Sequence, residues 1–279
     1  MKIGIIGIGI VGGALKRAFE TSEEIHLICY DKFKSEYGWS DLILESEVIF
    51  VCAPSPTING KQDLSALKDI LSLLSSCKFK GAVVIKSTVL PGTTAALNEH
   101  YGNLRLAHNP EFLTESNAYE DLMFEKFIIM SGKSEVCSVV HRSYNKIFGD
   151  KPIMWNEKFE VTEMAKYMHN CFLAVKVTFC NEIYEICQLA KIDYGLVKEA
   201  AIGAGKIGRN HTRVPGPDGL FGYGGACFPK DMKAFSTWTK EIGVFAGLIE
   251  SSIILNSNYR SWQIAESKTH SDDFDELGY

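Results

Sequence analysis

Lys2-Ile-Gly-Ile-Ile-Gly-Ile-Gly-Ile-Val-Gly12 opens the chain with a short apolar run that ends on one glycine and passes at once to two more. An unbroken apolar run of this length reads as a strand buried on both faces of a parallel sheet. Gly7, Gly9 and Gly12, with Ile10 and Val11 between them, keep the G-x-G-x-x-G spacing. Residues 13–20 read as a helix, and a second apolar run, Ile25 to Tyr30, ends in Asp31. Strand, glycine turn, helix, strand and acid in this order make up the dinucleotide fingerprint in its required context. The glycines let the backbone approach a pyrophosphate at the helix N-terminus, and the acid accepts from ribose hydroxyls. The negative charge of Asp31 repels a 2′-phosphate, so the expected cofactor is NAD. Lys32 and Lys34 beside it keep NADP as the alternative.

Working outward, apolar runs at 48–52, 82–86, 104–107, 127–131 and 152–155 alternate with helical stretches. That pattern specifies an α/β fold, a Rossmann-type doubly wound, mostly parallel sheet covered by helices. Ala53-Pro54 and Ser87-Thr88 fall just past strands, at the carboxyl edge where such sheets bind ligands; Ser or Thr there also caps helices. From Glu160 to Lys191 there is no Pro or Gly, and apolar residues recur at helical spacing. A helix of that extent runs roughly 45 Å and suits a domain connector or a dimer surface. The expected organisation is a dinucleotide-binding domain over 1–156, an all-α domain with a long central helix over 157–265, and a polar, acidic, disordered tail over 266–279.

The 279 residues, 46% of them hydrophobic, suffice for two packed domains. A net charge of −5 argues against nucleic acid or an anionic membrane surface as partner. The longest apolar run, Ile3 to Leu15, contains five glycines and is too short to span a bilayer. No basic-then-apolar leader precedes it. The eight cysteines include no C-x-x-C pair and no metal-like cluster, so they read as reduced thiols of a cytoplasmic protein without a metal.

A second informative stretch is Gly222-Tyr-Gly-Gly-Ala-Cys-Phe-Pro-Lys-Asp231. It sets Cys227 directly after a glycine-rich turn and four residues before a carboxylate. Few side chains shield a thiol in such a loop, and an acid four residues on lies on the same face of a following helix. The layout suits covalent chemistry on a carbonyl; a small cysteine buried beside a turn is the plainer reading. Lys166 and Asn170 share one face of the long helix by the same spacing, as two solvated side chains would.

The chain resembles the UDP-glucose/GDP-mannose dehydrogenase family, through several separated motifs in the family's order. These are Gly7–Gly12, Val51-Cys-Ala-Pro-Ser-Pro56, Lys86-Ser-Thr-Val-Leu-Pro91 and Asn109-Pro-Glu-Phe-Leu-Thr-Glu115. Glu163-Met-Ala-Lys-Tyr-Met-His-Asn170 continuing to Asn181-Glu182, Val214-Pro-Gly-Pro-Asp218 and Gly222–Asp231 complete the match. The resemblance implies a homodimeric enzyme that oxidises a nucleotide sugar with NAD, UDP-glucose to UDP-glucuronate being the leading case. It implies Cys227 as nucleophile, Lys166, Asn170 and Asp231 around the reacting oxygen, and Thr88 and Glu111 as aids to hydrolysis. It places Glu115 near the nicotinamide, with Ala53, Pro54 and Ser87 on the cofactor side. Phe112, Leu113, Tyr223, Gly224 and Lys206 are implied to border the substrate.

The chain departs from the family pattern in three places. No strand–helix repeat follows Gly225, where the family carries a second nucleotide-binding domain. The stretch from Asp31 to Val48 is short. Lys206-Ile-Gly208 stands where the family has an arginine that reaches a partner subunit, and Arg209 and Arg213 are the candidates to replace it. Two alternatives remain: a short hydroxyacid dehydrogenase performing one oxidation, and a non-catalytic NAD-binding remnant that needs a partner domain.

Overall fold

The computed structural model describes residues 1–34, 36, 38, 39 and 41–272. The chain divides into two units, Met1–Tyr167 and Met168 onward. The first unit is built from β1 (Lys2–Ile6), α1 (Ile10–Phe19), β2 (His26–Tyr30), β3 (Val48–Val51), a small ribbon of β4 (Thr57–Ile58) and β5 (Lys61–Gln62), and α2 (Ser65–Ser76). There follow β6 (Ala82–Ile85), α3 (Thr93–His100), β7 (Arg105–His108), α4 (Ala118–Phe124), β8 (Ile128–Gly132), α5 (Ser134–Phe148) and β9 (Ile153–Asn156). The helix α6 (Phe159–Ala190) begins here and continues into the second unit.

The main sheet has the order β2-β1-β3-β6-β7-β8-β9. Every pairing is parallel except β7 with β8. β2 and β3 lie on opposite sides of β1, so the chain reverses its direction of winding there and opens a crevice at the carboxyl end of β1. The expected strands and helices of the fingerprint lie where the apolar pattern put them.

Continuous apolar strands follow from burial on both faces. Ile3, Ile5, Phe50 and Val84 point into a core shared with Leu15 and Phe19 of α1 and Tyr144 of α5. Ile49, Val51, Val83 and Ile85, one residue out of step, point into the opposite core against Leu67, Leu71 and Leu74 of α2. Phe19, Phe50 and Tyr144 pack with ring centroids 5.3 to 6.0 Å apart, within the range of favourable aromatic pairing.

The ribbon was not expected. Asn59 and Gly60 both take positive φ (51° and 78°), as a tight hairpin turn demands, but strands of two residues show no period to read.

In the second unit, α6 is followed by α7 (Tyr194–Gly203), α8 (Phe228–Glu241) and α9 (Gly247–Asp272). Among the described residues only helices follow Gly225. α9 carries on through Asp272, so the expected tail from Glu266 is helical to that point; residues 273–279 lie outside the described residues. α6 spans 32 residues, close to the expected extent. Its portion in the second unit leaves Met168, Phe172, Phe179, Ile186 and Leu189 exposed, recurring at three-, four- and seven-residue spacing. Among the described residues no helix is long and apolar enough to cross a membrane.

Candidate active site

Each glycine of the first turn has its own physical reason. Gly7 takes φ +91°, and a Cβ on it would stand 2.6 Å from the Cys52 carbonyl oxygen. A Cβ on Gly12 would stand 1.9 Å from the Gly7 carbonyl oxygen, so α1 can sit this close to the turn only without one. A Cβ on Gly9 would meet no protein atom within 4 Å. Packing therefore asks nothing of Gly9, the residue at the N-cap of α1, and leaves open space at the place where a ligand phosphate would approach the helix N-terminus. Asp31 Oδ2 accepts from the Ile8 N–H at 2.6 Å and Oδ1 from the Phe33 N–H at 2.8 Å. Lys34 Nζ donates to the Ile8 carbonyl at 2.6 Å. The acid at the end of β2 is thereby locked onto the glycine turn, each oxygen retaining acceptor capacity for a ribose hydroxyl. This cradle fits a dinucleotide.

At the carboxyl ends of β3 and β6, the Ser87 hydroxyl donates to the Ala53 carbonyl at 2.6 Å. Pro54 is exposed and Thr88 is buried, its carbonyl accepting from Ser55 and Gln62. Beyond β7, Glu111 and Lys166 form a buried pair, 8% and 3% exposed. Lys166 Nζ donates to the Glu111 carbonyl at 2.6 Å and to its Oε1 at 3.1 Å. Oε2 accepts from the Leu113 N–H at 2.6 Å. Phe112 is half-buried, its ring centroid 5.3 Å from Lys166 Nζ. Glu115 is exposed at the start of a single 3-10 turn.

Burial alone would raise the Glu111 pKa, but the Lys166 charge, the Leu113 N–H and the more distant Lys86 together hold it below its ordinary 4.5. A carboxyl that titrates lower folded than unfolded adds stability present above the unfolded value and lost as pH falls through the folded one. Lys166→Met strands that carboxylate without its partner. Urea melts should show a loss of about 3–5 kcal/mol at pH 7, shrinking below pH ~4.5 as the acid protonates.

In the second unit Cys227 is exposed and outside any disulfide, and it precedes the first residue of α8. Pro229, at the start of that helix, is pre-organised for it. The partial positive charge of the helix N-terminus favours negative charge at this position. One turn on, Asp231 is 1% exposed. Asn170 Nδ2 donates to Asp231 Oδ2 at 2.7 Å, and Lys230 Nζ to Oδ1 at 2.5 Å. Asn170 of α6 and Asp231 of α8, 61 residues apart in sequence, are brought together as a buried amide–carboxylate pair.

The loop before Cys227 is bound by Asn181, which belongs to the matching motifs, and by two side chains of α9 that the sequence reading did not single out. The Gly222 N–H donates to Asn181 Oδ1 at 3.0 Å, and Asn256 and Arg260 of α9 hold the backbone of residues 222 and 223. Their i, i+4 spacing was readable, but nothing local says which loop they face. Tyr223 is buried with its ring edge on Phe228, so its side chain serves the packing beneath the loop. Gly224 is half-buried, Leu113 packs against the first-unit core, and Lys206 is exposed. Arg209 is engaged by Glu199 through two 2.7 Å bonds.

A dinucleotide cradle at the switch point of a mostly parallel sheet, followed by helices that carry an exposed cysteine one turn before a buried carboxylate, defines a two-unit dinucleotide-binding protein. Residues 31–149 match the NAD-binding domain of the UDP-glucose/GDP-mannose dehydrogenase family, and residues 160–258 match its central domain. The chain belongs to this family, and its cofactor is NAD. It is 30% identical over 254 residues to a UDP-glucose 6-dehydrogenase of Rickettsia prowazekii, which covers 88% of this chain and 57% of that protein. The chain thus spans little more than half the length of this curated relative. A UDP-glucose dehydrogenase structure from Pyrobaculum islandicum superposes with TM-score 0.79 at 24% identity, covering 92% of this chain and 68% of that one. A ternary complex of GDP-mannose dehydrogenase from Pseudomonas aeruginosa gives TM-score 0.64 at 26% identity, with 93% and 69% covered.

Proposed function

We propose that this chain oxidises the primary alcohol of a nucleotide sugar to a carboxylate in two hydride transfers through a covalent intermediate on Cys227, with UDP-glucose the first candidate substrate. The observation that carries the reading is the exposed Cys227 at the head of α8, one turn from a buried Asp231 held by Asn170 and Lys230. NAD, when bound, supplies the hydride acceptor for both oxidations. Gly7, Gly9 and Gly12 with the α1 N-terminus hold its pyrophosphate and Asp31 its ribose; Ala53, Pro54, Ser87 and Glu115 line the cofactor side.

In the first step the alcohol carbon loses a hydride and its hydroxyl loses a proton toward the Asp231 carboxylate, leaving an aldehyde. The Cys227 thiolate then adds to the carbonyl carbon. The carbonyl π bond becomes an oxyanion, which takes up a proton to give a thiohemiacetal. Lys166 Nζ has two of its three donors on Glu111, and Asn170 Nδ2 has one of its two on Asp231. The remaining donor on each suits the oxyanion, a contribution of roughly 3 kcal/mol per donor. Loss of the second hydride and the hydroxyl proton turns the thiohemiacetal into a thioester. Water attacks the acyl carbon, Glu111 takes its proton with Thr88 orienting it, and the thiol leaves with the acid released. Glu111, kept ionised at neutral pH by Lys166, suits that base role. Phe112, Leu113, Gly224, Lys206 and the buried Tyr223 are the substrate-side residues in this reading.

Incubation with NAD and a panel of UDP-glucose, GDP-mannose and UDP-N-acetylmannosamine tests it. NADH formation with a uronate product supports it. Measurable NAD binding with no turnover of any nucleotide sugar contradicts it, and turnover of a small hydroxy acid unaffected by loss of Cys227 would indicate a single-oxidation enzyme.

The exposed apolar residues of α6 support self-association through that helix. Sedimentation should give twice the chain mass of 31.0 kDa, and a Phe172→Asp/Phe179→Asp double variant should sediment as a monomer.

A further inference from the structure

We infer that Asn256 and Arg260 of α9, with Asn181 of α6, are positioning residues that set the backbone of the Gly222–Gly225 segment and through it the aim of Cys227. This rests on the reading of Cys227 as nucleophile.

The loop leading to α8 has no strand or helix partner for its peptide groups, so side chains must satisfy those that are buried. Asn256 does this at two points on one residue. Its Oδ1 accepts from the Tyr223 N–H at 2.6 Å, and its Nδ2 donates to the Tyr223 carbonyl at 3.1 Å. A primary amide can pair in this way as a second peptide group would, whereas a carboxylate can only accept and an aliphatic side chain can do neither. Arg260 adds three bonds in a fan. Nε reaches the Tyr223 carbonyl at 3.2 Å, Nη2 the Gly222 carbonyl at 3.0 Å, and Nη1 Asp218 Oδ2 at 2.7 Å. The guanidinium thus staples Asp218, before the turn, to the two residues that lead into Gly224-Gly225-Ala226-Cys227. Asn181 of α6 takes the Gly222 N–H.

The glycines of this loop follow from the clamp. Gly222 sits at φ +72°, and a Cβ there would lie 2.4 Å from Asn256 Oδ1. A Cβ on Gly224 would lie 2.6 Å from Arg260 Nη2. Gly222 is therefore required by its positive φ and by the Asn256 amide against it, and Gly224 leaves room for the Arg260 guanidinium, which the expectation of close substrate approach had not anticipated. Cys227 begins three residues after Gly224, so a displacement of the clamped backbone is delivered to Sγ over a very short lever. Misplacement of a reacting atom by about 1 Å is enough to slow a step about 100-fold.

The test pairs Arg260→Ala and Asn256→Asp with Arg260→Lys, which keeps the charge but loses the fan. The rate of Cys227 alkylation by iodoacetamide is measured beside NAD affinity, turnover and thermal midpoint. Alkylation and turnover should change at least tenfold in each variant while NAD affinity stays within twofold. Arg260 also lines a cavity of about 240 Å³ with Gly224, Lys233 and Asn256, so millimolar guanidinium should restore Arg260→Ala in part. Should that variant not fold, Arg260→Lys carries the same comparison. Alkylation within twofold of the parent in folded variants, or a loss that follows only the unfolded fraction, overturns the inference. Because alkylation reads the loop without a nucleotide sugar, failure of the proposed reaction leaves this result separately readable.

Discussion

Cys227→Ser is expected to leave a protein that folds and binds NAD but forms the acid at least ~10³-fold more slowly than the parent. The two side chains differ by one atom, and Cys227 is exposed at the head of α8, so little packing is disturbed. Chemistry is what changes. A thiol is a few per cent thiolate at neutral pH and intrinsically very nucleophilic, whereas a serine hydroxyl is almost wholly protonated. Aldehyde made in the first oxidation then finds no nucleophile. NADH should appear at no more than one equivalent per sugar, with aldehyde or its hydrate trapped by a carbonyl reagent. A variant that still made acid at the parent rate would remove Cys227 from the reaction.

Gly12→Ala should abolish NAD binding at concentrations where the parent is saturated. The added methyl would lie 1.9 Å from the Gly7 carbonyl oxygen, a backbone atom with no rotamer through which to escape. Relief requires α1 to move away from β1 and the turn to open, which removes the N-terminal donors of α1 from the pyrophosphate and loosens the Ile8–Asp31 bond. A weakening of NAD binding by more than about 100-fold, or roughly 3 kcal/mol, is expected by titration calorimetry. Overpacking of this kind also costs about 1–3 kcal/mol of stability. Gly9→Ala is the informative control. Its Cβ meets no protein atom within 4 Å, so it should leave the thermal midpoint near the parent value while still weakening NAD.

The parts of the molecule with a repeating physical signal were readable in advance. β1, α1, β2 and Asp31 are specified by apolar period, glycine spacing and a terminal acid, and α6 by thirty residues without a breaker. The β4–β5 ribbon was not readable from apolar period, since two-residue strands have none, although Asn59-Gly60 is itself a hairpin signal. Lys166, Asn170, Glu111 and Asp231 were named from motifs. Their pairings, Lys166 with Glu111 and Asn170 with Asp231, depend on tertiary packing across 55 and 61 residues, which no local pattern encodes. The sharpest difference lies in Gly222 and Gly224. Glycine in a loop signals that something comes close, without saying whether it is a ligand in front or, as here, an amide and a guanidinium behind.

The central claim is that one chain performs both oxidations on one sugar through Cys227. The most direct measurement is the number of NADH formed per UDP-glucose consumed to completion, with the sugar product identified by mass. Two NADH per sugar with UDP-glucuronate as product is the predicted result. One NADH per sugar with a stable aldehyde or ketone product from the unmodified chain contradicts it.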